Sequence, residues 1–374
     1  TATRCSRSRA HRAGLWVKRL ANLFNEDDRV SGLAIDPSGD IYVSTTVIYY
    51  SATGDTNLFW TRYDADGNEV WTKQVSSKAP GATVDDITAN GTSEVVVGSF
   101  ANTMDLGAGP ITPSAPLLYS DYFLARYDAD GNLLWNKTFP ATLTSPRSSL
   151  AEDASGDIVL FSSKVGTVNF GGGLLSTGPF DADLFLVRFN ANGGHLWSKR
   201  FGDTMDQSAA SVAVDSAGDI VIAGTTLGTV DFGGGPLVGP GAFLAKLDET
   251  GAHVWSKLFP SSFALGLDVA VSPSNDVTFV GTIVGTIDLG GGPLASAKVG
   301  NIYKGNPFLA TFDTAGNHLT SAVFQTPLNV TLAATTTDCA GRPVVASEMD
   351  TTVDFGPLTP ALAGGRQNYV VKLP

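Results

Sequence analysis

Short runs in which apolar and polar residues alternate cover most of the chain, with Asp- and Gly-rich clusters between them. The segment 211–259 shows the pattern most clearly: SVAVDSAGDIVIAGT, then the connector TLGTVDFGGGPLVGPGA, then FLAKLDETGAHVWSKLF. Alternation with a period of two, interrupted by Asp and Gly, predicts a β-hairpin. The segment holds two such hairpins, so each unit contains four strands, named here A to D.

This unit recurs six times at a spacing of about sixty residues. The A–B hairpins are predicted at 33–44, 87–98, 150–162, 212–224, 269–281 and 332–346. Complete C–D hairpins are predicted at 59–75, 123–139, 185–201, 243–259 and 308–324. The D strands carry Trp16, Trp71, Trp135, Trp197 and Trp255, with Thr320 in the sixth position.

Four strands per repeat at this period are typical of a β-propeller blade. The sixth unit ends after its C strand, and the missing D strand is found near the other terminus, at 15–20. We therefore expect an all-β, six-bladed β-propeller of four-stranded antiparallel blades. The ring would be closed by residues 15–20 pairing with residues 369–373. Residues 1–14 form a basic leader and 15–374 a single domain.

Charge and hydropathy exclude several classes of partner. The formal net charge is −12, although the leader carries four arginines and no acid. An acidic surface repels phosphate groups, so nucleic acid is not expected as a partner. No apolar run approaches the length of a membrane span. The leader also lacks the apolar core of a signal peptide.

The two cysteines, Cys5 and Cys339, lie at opposite ends of the sequence. Cys339 falls in the A–B turn of the sixth blade, and Cys5 precedes the strand that would close that blade. Because A–B turns and the start of strand D lie at the same end of a blade, we expect a disulfide between the two cysteines in an oxidising compartment. The alternative is two free thiols in a cytosolic protein.

The segment VAVDSAGDIVIAGT resembles the propeller repeats of bacterial NHL- and SBBP-type proteins, and LDETGAHVW resembles the quinoprotein-like repeat. With the connector GTVDFGGGPL, the whole unit is most similar to the SBBP type over 15–374. The resemblance implies an exported protein, extracellular or at the cell surface, with the periplasm as an alternative. It implies no activity, because the adjacent cysteine pair of quinoprotein dehydrogenases and the Asp-box spacing of sialidases are both missing.

Candidate catalytic groups are few. His195, His253 and His318 occupy the same position in three successive blades, two residues before the tryptophan position. They are interpreted as surface residues of the C–D turn, and the D-strand tryptophans and Trp60 as packing residues. Since neither a histidine centre nor a nucleophile motif is apparent, the protein is predicted not to be an enzyme.

An acid or amide recurs in the B–C connectors, followed by an apolar residue and glycine. The positions are Asp105, Asn169, Asp231, Asp288 and Asp354. One interpretation is a turn in which this side chain caps its own backbone and the glycines supply positive φ. The other is one Ca²⁺ site per blade; apart from this, no cofactor is predicted. The DADGN sequences at 64–68 and 128–132 are interpreted as hairpin turns.

Three B–C connectors depart from the repeat, at 47–51, 113–122 and 298–306. Five tyrosines of these segments are candidates for a ligand-binding aromatic patch: Tyr49, Tyr50, Tyr119, Tyr122 and Tyr303. Such rings suit a glycan or protein partner. The leading hypothesis is a non-enzymatic, exported binding or scaffolding propeller that presents these loops. The alternatives are a lectin-like propeller, and a lyase or hydrolase with carboxylates in the central channel.

Overall fold

The computed structural model describes residues 26–49, 56–77, 81–114, 120–140, 148–178, 181–261, 264–325, 331–337, 342–349 and 367–372. All regular elements in these ranges are β-strands, and no helix occurs within them. They form five four-stranded antiparallel sheets and one three-stranded sheet, with small two-stranded hairpins between them. The predicted all-β class and the four-stranded repeat are therefore confirmed for the described part of the chain.

The first three sheets follow one another along the sequence. Sheet 1 contains β1 (Glu26–Ile35), β2 (Ile41–Tyr49), β3 (Thr56–Tyr63) and β4 (Glu69–Ser77). Sheet 2 contains β5 (Ala82–Ala89) and β6 (Ser93–Phe100) and, after a connector hairpin of β7 (Met104–Asp105) and β8 (Pro110–Ile111), β9 (Asp121–Asp128) and β10 (Leu133–Phe139). Sheet 3 contains β11 (Ser148–Glu152) and β12 (Ile158–Lys164) and, after β13 (Thr167–Asn169) and β14 (Leu174–Ser176), β15 (Asp183–Phe189) and β16 (His195–Phe201).

The remaining sheets repeat this plan. Sheet 4 contains β17 (Gln207–Val214) and β18 (Ile220–Thr226), the connector strands β19 (Thr229–Val230) and β20 (Leu237–Val238), then β21 (Gly241–Leu247) and β22 (His253–Pro260). Sheet 5 contains β23 (Ala264–Val271) and β24 (Val277–Ile283), the connector strands β25 (Thr286–Asp288), β26 (Pro293–Ala295), β27 (Lys298–Val299) and β28 (Ile302–Tyr303), then β29 (Asn306–Phe312) and β30 (His318–Val323). Sheet 6 contains β31 (Thr331–Thr337), β32 (Pro343–Met349) and β33 (Gln367–Lys372).

The strand order within each sheet is the predicted A–B–C–D meander. In sheet 6 the third strand, β33, pairs with β32 from Gln367 to Lys372, so it begins two residues earlier than expected. Residues 15–20 lie outside the described residues. The closing strand and the number of blades therefore stay predictions.

The hairpin turns owe their shape to one aspartate or its equivalent at the first turn position. In the first DADGN sequence, the Asp64 N–H donates to the Asn68 carbonyl at 2.8 Å, and the Gly67 N–H donates back to the Asp64 carbonyl at 2.9 Å. The Asp64 carboxylate accepts the backbone N–H groups of Asp66 and Asn68 at 3.0 and 2.8 Å. Gly67 has φ +81°, a conformation that glycine adopts readily. The interpretation as hairpin turns is confirmed.

The B–C connectors of sheets 2 to 5 are hairpins rather than simple turns, which the sequence analysis did not predict. In sheet 4, Thr229 pairs with Val238 and Val230 with Leu237. Asp231 Oδ1 accepts the N–H groups of Gly233 and Gly235 at 2.7 and 3.1 Å. Both glycines have positive φ, +107° and +103°. Asp105, Asn169 and Asp288 repeat these contacts in their own connectors.

The chain divides into two compact units, each with its own apolar core. The first comprises Thr1–Leu160, Lys164–Phe180 and Leu186–Lys199; the second comprises Phe161–Ser163, Asp181–Phe185 and Arg200–Pro374. A core cluster of the first unit contains the predicted core residue Trp60, which is fully buried, with Tyr42 and Tyr127. A cluster of the second contains Phe259, Phe279 and Phe312.

The D-strand tryptophans join consecutive sheets. Trp71 Nε1 donates to the Ala129 carbonyl at 3.0 Å, and Trp135 Nε1 to the Ala191 carbonyl at 3.1 Å. Trp255 Nε1 donates to the Thr314 carbonyl at 3.1 Å. Each acceptor lies in the C–D turn of the following sheet. For these three residues, the predicted role in packing between neighbouring sheets is confirmed.

Replacing Trp255 by phenylalanine tests this link between sheets 4 and 5. The variant keeps an aromatic ring but removes the indole N–H. We expect the free energy of unfolding to fall by about 1 kcal/mol, the net value of a typical hydrogen bond. Urea-induced unfolding of wild type and variant measures the difference. An unchanged unfolding midpoint with an unchanged slope would contradict a stabilising role for the bond.

Candidate ligand-binding cleft

In sheets 1 to 4, the end that carries the A–B and C–D turns, called here the turn end, contains a buried or half-buried cation. Arg62, Arg126, Arg188 and Lys246 hold the same position on the third strand of sheets 1 to 4. Arg62 contacts Asp40 of its own sheet at 2.7 Å and donates to the Ala129 carbonyl of sheet 2 at 2.6 Å. The cation thus joins the A–B turn of its own sheet to the C–D turn of the next.

Sheet 4 has the same arrangement with lysine. Lys246 Nζ lies 2.7 Å from Asp215 and 3.0 Å from Asp219, the first and last residues of the A–B turn. It also donates to the Thr314 hydroxyl of sheet 5 at 3.2 Å. In sheet 3, Arg188 contacts Asp153 at 2.5 Å and Asp157 at 3.4 Å. These pairs are largely buried, so they fix the turns as well as neutralise the cation.

Sheet 2 departs from this plan. Its A–B turn has Asn90 and Glu94 where sheet 1 has Asp36 and Asp40. Glu94 is fully buried, and neither of its carboxyl oxygens has a hydrogen-bond partner among the described residues. Arg126 instead forms an ion pair with Glu152 of sheet 3. Its guanidinium also donates to the Gly156 and Ala191 carbonyls at 3.0 and 2.7 Å.

Both glutamates have shifted ionisation. Burial raises the pKa of Glu94 from its usual 4.5 to about 8, although Arg62 and Lys73 oppose the shift. Burial likewise raises the pKa of Glu152 to about 7, and the charge of Arg126 limits that rise. A buried carboxyl that lacks full compensation favours its neutral form.

A cleft of about 610 Å³ opens between the turn ends of sheets 2 and 3. Its lining comprises Asn90, Thr92, Ser93, Arg126, Leu134, Trp135, Ala154, Ser155, Gly156, Ala191 and Asn192. The volume lies within the range of small-molecule sites. The cleft therefore lies at the A–B turn of sheet 2, where Arg126 pairs with the next sheet instead of with its own.

The wall formed by Trp135 is held in place from two sides. Its indole N–H is bound to the Ala191 carbonyl, and Gly193 packs against its ring. A Cβ atom on Gly193 would lie 3.1 Å from Trp135 Cζ3 and 2.6 Å from Lys137 Cε, and the residue has φ +73°. Glycine is therefore required at this contact.

The three histidines are not open surface residues, contrary to the sequence-based interpretation. His195, His253 and His318 are half-buried beneath the glycines of their own connectors. A Cβ atom on Gly172 would lie 2.3 Å from His195 Cε1, so only glycine fits there. Each ring nitrogen Nε2 lies within hydrogen-bond distance of the serine three residues later, at 2.9–3.1 Å. The histidines support the connectors.

The candidate tyrosines have different environments. Tyr122 lies in β9 rather than in the connector and is 1 % exposed, so it presents no open face to a ligand. Tyr303 is half-buried in the β27–β28 hairpin, with Lys298 Nζ 4.2 Å from its ring centre, and this lysine lowers the pKa of its hydroxyl. Tyr49 ends β2, but its side chain, like the whole of Tyr50 and Tyr119, lies outside the described residues.

Lys164 is a further departure from the repeat, at the end of β12. Its side chain is 3 % exposed, and Nζ lies 4.5 Å from the centre of the Tyr122 ring. No hydrogen-bond partner of Nζ is found among the described residues. The corresponding positions of sheets 4 and 5 carry Thr226 and Ile283. Burial lowers the pKa of Lys164 to about 8, partly offset by Asp121.

Replacing Lys164 by methionine is expected to stabilise the protein. The folded state holds its proton less tightly than the unfolded chain, so wild-type stability rises as pH increases from about 8 to 10.5. At neutral pH the buried charge costs about 3 kcal/mol, which the variant would recover. Urea unfolding at pH 7, 9 and 10.5 measures this, with the half-buried Lys199→Met as control. A destabilised variant with an unchanged pH profile would contradict the expectation.

Two half-buried aspartates on first strands also join sheets. Asp86 accepts the Leu150 N–H at 2.8 Å and the Ser149 hydroxyl at 3.2 Å, which ties sheet 2 to sheet 3. In the second unit, Asp268 accepts the Ser211 hydroxyl of sheet 4 and the Thr335 N–H of sheet 6. Burial raises the pKa of Asp268 to about 6. The sequence analysis missed this role of both carboxylates.

The predicted calcium ligands are engaged in their connector turns where the structure describes them. Oδ1 of Asp105, Asn169, Asp231 and Asp288 accepts backbone N–H groups, as the capping interpretation requires. Within the described ranges, no group of three or more His, Cys, Asp or Glu side chains is arranged to hold a metal ion. Asp354, Cys5 and Cys339 lie outside the described residues, and calcium binding stays a prediction.

The architecture is that of a repeat protein whose four-stranded antiparallel sheets are consistent with a β-propeller. No known family model matches the chain. Its sequence is 22 % identical to an uncharacterized WD repeat-containing protein, L264, of Acanthamoeba polyphaga mimivirus, over 68 % of this chain and 24 % of that protein. It is 26 % identical to the regulatory protein FlaEY of Caulobacter vibrioides, over 60 % of this chain and 23 % of that protein. The chain spans about a quarter of the length of these relatives.

Among solved structures, a glucose dehydrogenase aligns with a TM-score of 0.46 and 10 % identity, covering 92 % of this chain and 96 % of that one. A chimera of an apocarotenoid oxygenase (ACO) and RPE65 aligns with a TM-score of 0.41 and 13 % identity, over 81 % of this chain and 63 % of that one. Neither likeness bears on activity. In the described part of the chain, no helix has the length and apolar character needed to cross a membrane.

Proposed function

We propose that this chain is a six-bladed β-propeller that serves as a non-enzymatic binding module, and that its ligand occupies the cleft between sheets 2 and 3. The observation that carries the proposal is the coincidence of the cleft with the change in ion pairing at Arg126. At equivalent positions of sheets 1 and 4, the cation stays paired within its own sheet. Symmetric positions serve the architecture, so a departure that opens a cavity indicates function.

The site proposed here differs from the one favoured by the sequence. The tyrosine-bearing connectors belong to the opposite end of the sheets, and Tyr122 is buried there. The turn-end cleft instead combines a fixed indole with exposed polar side chains that can orient a ligand.

Cleft-blocking substitution tests the proposal. Thermal unfolding would be recorded with a library of sugars, nucleotides, amino acids and short peptides, since a ligand that binds the folded state raises the melting temperature. We expect at least one compound to stabilise wild type but not Thr92→Trp, whose side chain would fill the cleft. Ser38→Trp, at the matching position of the exposed turn in sheet 1, should retain the response. A library with no compound that distinguishes the two variants would refute the proposal.

The proposal extends to the parts of the chain outside the described residues. Residues 15–20 would complete sheet 6 by pairing with 369–373, and Cys5 and Cys339 would form a disulfide beside that closure. The resemblance to SBBP-type repeats supports an exported protein. Mass spectrometry of the native protein should show a gain of two hydrogens on reduction. Free thiols before reduction would eliminate the disulfide.

A further inference from the structure

We infer that the cleft between sheets 2 and 3 binds an uncharged carbohydrate. This inference rests on the proposed function and gives it a ligand class. It depends on the charge, hydrogen-bonding groups and apolar surface that the lining residues offer. Each of these properties follows from contacts of the first structural unit alone.

The lining presents no free charge to a ligand. Arg126 is its sole ionisable residue, and its side chain is 6 % exposed. The guanidinium is committed to Glu152, to the Ser93 hydroxyl and to two backbone carbonyls. An anionic ligand would need an accessible cation, and a cationic ligand would need an accessible carboxylate. The described lining offers neither.

The exposed rim offers neutral hydrogen-bonding groups. The hydroxyls of Thr92 and Ser155 each donate to a neighbouring side chain, Asn90 at 2.8 Å and Asp153 at 2.6 Å. Their oxygen lone pairs therefore remain available as acceptors. The side-chain amide of Asn192 is exposed and has no partner among the described residues, so it offers both donors and an acceptor. This set complements the hydroxyl groups of a sugar, which donate and accept.

An apolar surface lies beside these groups. Leu134 is 56 % exposed, and the half-buried Trp135 follows it along the strand. A sugar ring presents C–H groups on one face and hydroxyls at its edge, so it can cover the leucine while its hydroxyls reach the rim. A free amino acid or a nucleotide would bring a charge that the cleft does not compensate.

Glycan-array binding followed by calorimetry with one neutral glycan from the array tests the inference. We expect neutral glycans to bind wild type, and Asn192→Ala and Leu134→Ser each to weaken binding about tenfold, which corresponds to about 1.4 kcal/mol. Leu196→Ser provides the matched control: Leu196 holds the same position on the last strand of sheet 3 and is 47 % exposed. Its substitution should leave the affinity unchanged.

The other outcomes overturn the inference. They are an array without binding, binding restricted to acidic glycans, and neutral binding that Asn192→Ala and Leu134→Ser do not weaken. The library experiment separates this failure from failure of the proposed function. A nucleotide, amino acid or peptide that loses its effect in Thr92→Trp would preserve the cleft as a binding site and refute the carbohydrate assignment alone.

Discussion

Glu94→Gln should make the protein more stable at neutral pH by about 3 kcal/mol. In wild type, the unfolded chain ionises Glu94 near pH 4.5, whereas the folded state retains the proton until about pH 8. The unfolded state therefore binds fewer protons over this interval, and stability falls as pH rises through it. The full loss is about 5 kcal/mol, of which about two thirds has accumulated at pH 7. Glutamine stays neutral and removes this dependence.

Burial is the main reason why Glu94 favours its neutral form. Asp128 adds to the pKa increase, while Arg62 and Lys73 oppose it without a direct hydrogen bond to the carboxyl oxygens in the described residues. Urea unfolding at pH 4.5, 7 and 8 should give coincident stabilities for wild type and variant at the lowest pH and a widening difference above it. The exposed Glu69→Gln is the control. Parallel profiles for wild type and Glu94→Gln would show that Glu94 is ionised in the folded state.

Arg126→Met should destabilise the protein by about 3–5 kcal/mol at pH 8. The substitution leaves Glu152, whose side chain is 2 % exposed, without its counter-charge, and removes the donors to the Gly156 and Ala191 carbonyls. Breaking a buried ion pair from one side typically costs this much, because a buried charge remains uncompensated. Equilibrium unfolding in urea provides the measurement.

Two further variants identify the origin of the loss. Adding Glu152→Gln to Arg126→Met should recover part of the stability, since it removes the uncompensated carboxylate. Arg62→Met, at the same position in sheet 1, should cost less because both partners of the Arg62–Asp40 pair are more exposed, at 17 and 15 %. Equal losses for the two arginines would indicate lost packing rather than an unpaired charge as the cause.

The strands could be predicted from the sequence because their signals are local and repeated. Alternating apolar residues and the Asp–Gly turns place the C–D hairpins to within three residues, whereas the A–B hairpins extend up to seven residues beyond their predicted bounds, as at Glu26. The connector hairpins escaped prediction because their strands have only two or three residues, as in Thr229–Val230. Such strands are too short to show a periodic pattern, and backbone capping by Asp231 defines them instead.

The cleft was not predicted, although the sequence carried a signal for it. Glu152 stands where the other sheets have the apolar Ile35, Ala89, Val214 and Val271. Glu94 keeps an acidic side chain at the position that Asp40 holds in sheet 1, and the A–B turn sequence has the same length in both sheets. The sequence of sheet 2 therefore resembles that of its neighbours. Arg126 pairs with Glu152 of sheet 3 rather than with the A–B turn of its own sheet. This pairing depends on how that turn is folded and on where sheet 3 lies. A local sequence pattern contains no information about either.

The connectors described above also bear on how this chain can be engineered. Each closes on itself through one side chain, two glycines and a supporting histidine or its equivalent, and its second strand carries exposed side chains: Leu174 and Val238 are 73 and 70 % exposed. Sheet 5 already accommodates an additional hairpin, β27–β28, after its second connector strand without altering the register of its sheet. Foreign peptides could therefore be displayed at the same position of the other connector hairpins, several per molecule, with the framework beneath them unchanged.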